Sequence, residues 1–220
     1  MARRLWRRAW IRIFMSETIK KVIVGGTTVV ALIVFGTTLI HALWYAPDSE
    51  VAIPEASSTV PKSTSTQNNT ASNDTPLRLQ IPSLNIDTKV QKTGINTKGS
   101  MGVPTNFTDV AWYKYGTVPG DTGSAVIDGH VDNGLGLDGV FKHLIDIKLG
   151  DDVYVQMQSG ASEHFVVNDI ELYPYKNPPV DQIFNQSDTE RLNLITCDGS
   201  WVQGDKTYDH RLVVYTTLVS

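Results

Sequence analysis

"RLNLITCDGSWVQGDKTYDHRLVVYTTLV", residues 191–219, holds two apolar runs separated by a polar, glycine-containing stretch. The first run ends at Cys197, the only cysteine in the chain, and the second opens at His210 and Arg211. Both are rich in Leu, Val, Ile, Thr and Tyr, which suits strands, and the residues between them suit a connection. If 198–210 closes a hairpin, Arg211 returns beside Cys197 on the neighbouring strand. Side chains two apart in a strand share a face, so Arg211, Val213 and Tyr215 then point the same way.

Further strand-like runs lie upstream. "LRLQI" (77–81) and "TKVQKTG" (88–94) come first, followed by "SAVIDGH" (124–130) and "DDVYVQM" (151–157). "HFVVNDIELYPY" (164–175) completes the set. Short alternating Val/Ile/Tyr/Leu runs broken by Gly, Pro, Asn and Asp read as an all-β sandwich or barrel. Two helical patches are expected, at "LDGVFKHLIDI" (137–147) and near "PVDQIFNQ" (179–186). There is no internal repeat. Residues 76–220 are long enough to bury a core of their own.

The chain before residue 76 is of a different character. Residues 1–21 carry seven basic side chains (Arg3, Arg4, Arg7, Arg8, Arg12, Lys20, Lys21) against Glu17, about +6. With a total formal charge of −4, the remainder is about −10. An acidic remainder whose only arginines are Arg78, Arg191 and Arg211 argues against nucleic-acid binding, which needs a basic face. Val22 to Ala46 contains no formal charge. As a helix, Val22–Tyr45 spans roughly 36 Å, enough for a hydrocarbon core of about 30 Å. Trp44 and Tyr45 suit an interfacial belt. The run is longer than a cleaved signal peptide's apolar region, and "HALWYAPDSE" offers no Ala-x-Ala. The expectation is therefore a transmembrane signal anchor at 22–45, with the basic tail 1–21 in the cytoplasm and the rest outside the plasma membrane. "RRLWRRAWIRIF" also suits a basic amphipathic stretch lying in the interface. Residues 46–75, rich in Ser, Thr, Asn and Pro, have little to bury and read as a flexible stalk.

A lone cysteine excludes an intramolecular disulfide and leaves three readings: a buried small hydrophobe, an intermolecular link, or a nucleophile. With an ordinary pKa near 8.5, a thiol needs a positive group or a base to act as a nucleophile at neutral pH. Among the five histidines, His41 belongs to the apolar segment, His143 is expected to face solvent, and His164 reads as an ordinary strand residue. His130 ends an apolar strand behind Gly129, a placement that suits either a structural or a functional side chain. Cys197 likewise ends a strand. Three separate signals thus converge on one end of one sheet.

"GH" at 129–130, "LITC" at 194–197 and "HR" at 210–211, in that order, resemble the sortase transpeptidases. So do "IPSLNI" (81–86), "AWYKYGTVPGDTGSAVIDGH" (111–130) and "FKHLIDIKLGDDVYV" (141–155). "LNLITC" departs from the family's Thr-Leu-x-Thr-Cys signature in having Asn193 at its first position. "GHVD" and the glycine-rich loop after it look more like the class D to F group than class A. The resemblance implies an eight-stranded β-barrel with one or two short helices, preceded by the transmembrane helix. It also implies that Cys197 is the nucleophile, His130 the proton donor and acceptor, and Arg211 the group that binds substrate and offsets oxyanion charge. Thr196, Ile195 and Asp198 are expected to contact substrate, and residues 173–190 to line its groove. Asp128 and Asp132 flank His130 and either orient it or are simply solvated acids. The implied partners are surface proteins with a C-terminal Leu-Pro-x-Thr-Gly-like sorting signal and an amine acceptor such as a cell-wall precursor or a lysine. No cofactor is expected, because the acids are scattered rather than clustered for calcium.

Other cysteine folds fit less well. L,D-transpeptidases place the cysteine in Ser-x-Gly-Cys, and papain-like and NlpC/P60-type peptidases place cysteine before histidine. A catalytically inactive, membrane-tethered β domain acting as a scaffold is the remaining alternative.

Overall fold

The computed structural model describes residues 27–38, 74–133 and 135–219. The basic tail, the ends of the proposed anchor and the stalk before Asp74 lie outside the described residues. The chain divides into two units, Met1–Trp44 and Tyr45–Ser220. In the first, residues 27–38 form a helix, α1, whose apolar side chains are exposed. Near its end the hydroxyls of Thr37 and Thr38 both donate to the Val34 carbonyl. Among the described residues no helix is long and apolar enough to cross a membrane.

The second unit carries eight strands that close into a barrel. They are β1 (Pro76–Ile81), β2 (Ile86–Thr93), β3 (Val110–Tyr113), β4 (Gly123–Gly129), β5 (Asp152–Met157), β6 (Ser162–Pro174), β7 (Glu190–Val202) and β8 (Thr207–Leu218). Around the barrel the order is β1-β2-β3-β4-β7-β8-β6-β5. Neighbours are antiparallel except β2–β3 and β4–β7, which run parallel. This is the all-β barrel that the resemblance implies.

Alternation builds two apolar layers. Leu79, Ile81, Ala125, Ile127, Leu192, Leu194, Leu212 and Val214 point into the barrel. The intervening residues Val126, Ile195, Val213 and Tyr215 form a second cluster on the other face, with Met101 and Ile183. Ile183 belongs to the short helix α2 (Val180–Phe184), which packs over this outer face. Covering both faces explains why every residue of β4 is buried. Such strands read as continuous apolar runs rather than clean alternation.

The 137–147 patch forms turns rather than a helix, with a single 3-10 turn at Leu144–Asp146. Its first amides are already engaged: Gly139 N–H donates to Val131 O, Val140 to Phe107 O and Phe141 to His130 O. Those ties pull the segment against the end of β4 and leave no run of amides to nucleate α-helix. The apolar spacing still does its work, because Phe141, Leu144 and Ile147 are all buried in the barrel core.

Candidate active site

β7 and β8 form the hairpin that the opening stretch suggests. The connection is shorter than expected, because Val202 pairs with Thr207 and Lys206 N–H closes back on Val202 O. Lys206 there has φ 53°, in the left-handed region. In this register Cys197 lies directly opposite Arg211. On the other side of β7, the parallel β4 ladder sets Asp128 opposite Ile195, so one more alternation carries His130 level with Cys197. By the same alternation His130, Cys197 and Arg211 share the outer face, the one that carries Val126, Ile195 and Val213.

His130 is held from behind. Its Nε2 lies 2.9 Å from the Pro104 carbonyl oxygen. A carbonyl only accepts, so Nε2 carries the proton and Nδ1 is the ring nitrogen that can take up or release another. The Phe107 ring tilts against the imidazole at 5.8 Å between centroids. Gly129 allows Phe141 to close beneath this point, since a Cβ there would meet the Phe141 ring at 2.5 Å. Gly139 has the same role across the loop, where a Cβ would stand 2.2 Å from the His130 carbonyl oxygen.

Arg211 is 2% exposed. Its Nη1 donates to the carbonyls of Tyr208 (3.0 Å) and His210 (2.8 Å), and its Nη2 donates to the Thr207 hydroxyl (2.8 Å). The Tyr175 ring lies 5.7 Å from its central carbon. The guanidinium is thereby fixed by its own strand and by the segment after β6, which makes it a preorganised charge rather than a flexible one. Asp128, on the same face, is buried and pushed up to about 7 by burial, partly opposed by the Arg211 guanidinium. Tyr208, on β8, donates its hydroxyl to Asp132. Its phenol is pushed up to about 12, first by burial, then by Asp132 and the Cys197 charge.

Cys197 itself is half-buried, accessible to a substrate yet held by a closed sheet. A thiol, a charged guanidinium and an imidazole at one level of three adjacent strands can support nucleophilic acyl transfer. Of the residues expected to touch substrate, Thr196 is buried and its hydroxyl donates to Gly129 O at 2.7 Å. It thus ties β7 to β4 from the face opposite Cys197. Ile195 is buried in the outer cluster, and Asp198 is half-buried with its carboxylate accepting from Gly199 N–H. His143 is exposed, and His164 sits on β6 stacked against Tyr154. Asp132 accepts from the Tyr208 hydroxyl, and Asp128 is buried on the face that carries His130. From the 173–190 segment, Tyr175 reaches Arg211, and α2 covers the face beside it.

Sequence reading passed over Tyr208, Pro104 and Phe107. Tyr208 lies three residues before Arg211, an odd spacing that gives the two side chains no shared face and so left no signal in the strand pattern. Pro104 and Phe107 come from a loop that only the folded chain brings to His130.

Asn193, the departure from the family signature, is fully buried. Its amide donates to Ile183 O at 2.6 Å, so it fastens α2 to β7.

A model of the sortase domain matches residues 79–219. No curated protein matches the chain. Among solved structures, it is similar to sortase A from Corynebacterium diphtheriae, with 20% identity over 66% of this chain and 60% of that one, at a TM-score of 0.51. Sortase C-1 from Actinomyces oris is 23% identical over 66% of this chain and 76% of that one, at 0.50. The Clostridium perfringens sortase D5 transpeptidase is 15% identical over 66% and 79%, at 0.50. The chain spans about 60–66% of the length of the first solved chains it matches. These neighbours come from types A, C and D and share the fold rather than one subclass. With most of its length matched by that one domain, barrel included, the chain belongs to the sortase family.

Proposed function

We propose that the protein is a membrane-anchored cysteine transpeptidase that cleaves a C-terminal Leu-Pro-x-Thr-Gly-like sorting signal and transfers the acyl portion to an amine. The observation that carries this reading is the register pairing of Cys197 with Arg211, with His130 directly following the parallel strand alongside. The Cys197 thiolate attacks the Thr–Gly carbonyl carbon, and Arg211 offsets the charge that develops on its oxygen. The C–N bond then breaks, His130 giving its proton from Nδ1 to the departing amine, and a thioester remains on Cys197. An incoming amine attacks that thioester and His130 takes its proton. The Cys197 thiolate leaves, and a new amide bond results.

Thr196 and Ile195 serve this chemistry by fixing where Cys197 sits, and Asp198, next along β7, is positioned to meet the substrate chain. The segment around Tyr175 and α2 forms one wall of the groove. The charge-free run 22–45 and the basic tail support a single-pass anchor in the plasma membrane with the barrel outside. Surface proteins bearing the sorting signal are then the acyl donors, and a cell-wall precursor or a protein lysine is the acceptor.

The test is product analysis. The full chain is incubated with a pool of Leu-Pro-x-Thr-Gly peptides and triglycine as the amine. The proposal expects a Thr–triglycine amide that depends on Cys197, His130 and Arg211. Its absence with wild-type protein, matched by the same absence with Cys197→Ala, supports the inactive scaffold instead.

A further inference from the structure

Tyr208 is linked to Asp132, to Arg211 and to Cys197. Its hydroxyl donates to Asp132, two residues beyond His130 and 76 positions away in sequence. Its carbonyl accepts from Arg211 Nη1 at 3.0 Å. Its phenol also feels the charge of Cys197. Asp132 in turn sits at the base of the loop that follows His130. It pairs with Asp138 across an isolated bridge, and Gly139 N–H returns to Val131 O. Asn133 stiffens the same loop, its side-chain oxygen accepting from the amides of Leu135 and Leu137.

The loop is therefore braced internally, and further ties fix it to its surroundings: His130 Nε2 to Pro104 O, Val140 N–H to Phe107 O, Phe141 N–H to His130 O, and the tyrosine hydroxyl to Asp132. The last of these crosses to β8, the strand that carries Arg211. We propose that the Tyr208–Asp132 hydrogen bond is a latch that holds the His130 loop against β8, which makes Tyr208 and Asp132 positioning residues for the reaction. The latch sets how closely the imidazole approaches the thiol, and it rests on the transpeptidase reading given above. A hydrogen bond to a carboxylate is among the stronger neutral-donor bonds in proteins. The phenol keeps its proton far above neutral pH, so the donor persists wherever the enzyme works.

The experiment uses the full chain with Tyr208→Phe, Asp132→Ala and Asp132→Asn, the last retaining an acceptor for the hydroxyl. Turnover of the peptide pool is measured together with amide hydrogen exchange in peptides spanning 131–139. The latch predicts that Tyr208→Phe and Asp132→Ala each lower kcat about tenfold or more with KM within about twofold. Exchange at 131–139 should quicken in both, and Asp132→Asn should recover kcat to within about threefold of wild type. Unchanged exchange in Tyr208→Phe, a kcat within twofold of wild type, or an Asp132→Asn no better than Asp132→Ala would overturn the latch. If wild-type protein turns over no peptide, the functional reading falls on its own. Exchange at 131–139 in Tyr208→Phe then still decides the latch, quickened exchange upholding it and unchanged exchange refuting it.

Discussion

Asp128 and Arg211 are the two ionisable residues whose burial sets the behaviour of this site most directly. Burial pushes the Asp128 carboxyl up to about 7, against an ordinary 3.8. The native state therefore binds more protons than the unfolded chain between those values, and stability falls as pH rises through that window. Below about pH 4 the contribution is fully present, and above about pH 7 it is lost. The total swing is of the order of 4 kcal/mol at most, from about three pH units at 1.36 kcal/mol each. Urea midpoints across pH 4–8 should decline for wild type and stay flatter for Asp128→Asn. An identical slope in the two proteins would show that Asp128 does not titrate in this range. Arg211 donates through both Nη atoms in contacts that depend on its planar fork. Arg211→Lys keeps the charge but not that geometry, so acyl transfer should slow by about two orders of magnitude or more. Full activity in Arg211→Lys would reduce the residue to a point charge.

α2 is held to β7 by a buried amide and by an apolar anchor. Asn193→Ala leaves the Ile183 carbonyl without its donor and should cost about 1–3 kcal/mol in urea unfolding. Ile183→Ala removes the helix's buried anchor in the outer cluster and should cost about 2–4 kcal/mol. If Asn193→Ala unfolds at the wild-type midpoint, the helix is held by apolar packing alone. The hairpin of β7 and β8 was legible because both strands are long and apolar with turn chemistry between them. β3 was not legible as a strand from pattern alone, since four residues give too short an alternation and the connection 114–122 to its antiparallel partner β4 is too long to read as a tight hairpin turn. The 137–147 segment misled for a definite reason. Its three-residue apolar spacing fits a helix and a chain of turns equally, and the choice fell to backbone ties with Val131, Phe107 and His130 that lie outside the segment.

For the molecule as a whole, the barrel explains why three residues far apart in sequence meet. β4 runs parallel to β7 and stops just short of the level of Cys197, and β8 folds back on β7, so three neighbouring strands of a closed sheet bring His130, Cys197 and Arg211 to one level. Motif order in the sequence carried that meeting for the three named residues. It carried nothing of the supports from Pro104, Phe107 and Tyr208, which depend on loops and long-range pairing. If the charge-free run anchors the chain, the full protein should stay with membranes through alkaline carbonate washing, and its release would remove the anchor from the account. The proposed reaction stands on Cys197 as the acylated nucleophile. The decisive measurement is intact-mass analysis of the full chain, quenched in acid after mixing with Leu-Pro-x-Thr-Gly peptides and no added amine. Wild type should carry a hydroxylamine-sensitive acyl adduct that maps to Cys197 and is missing from Cys197→Ala. An adduct that persists in Cys197→Ala, or none on wild type while the peptide is still cleaved, would contradict it.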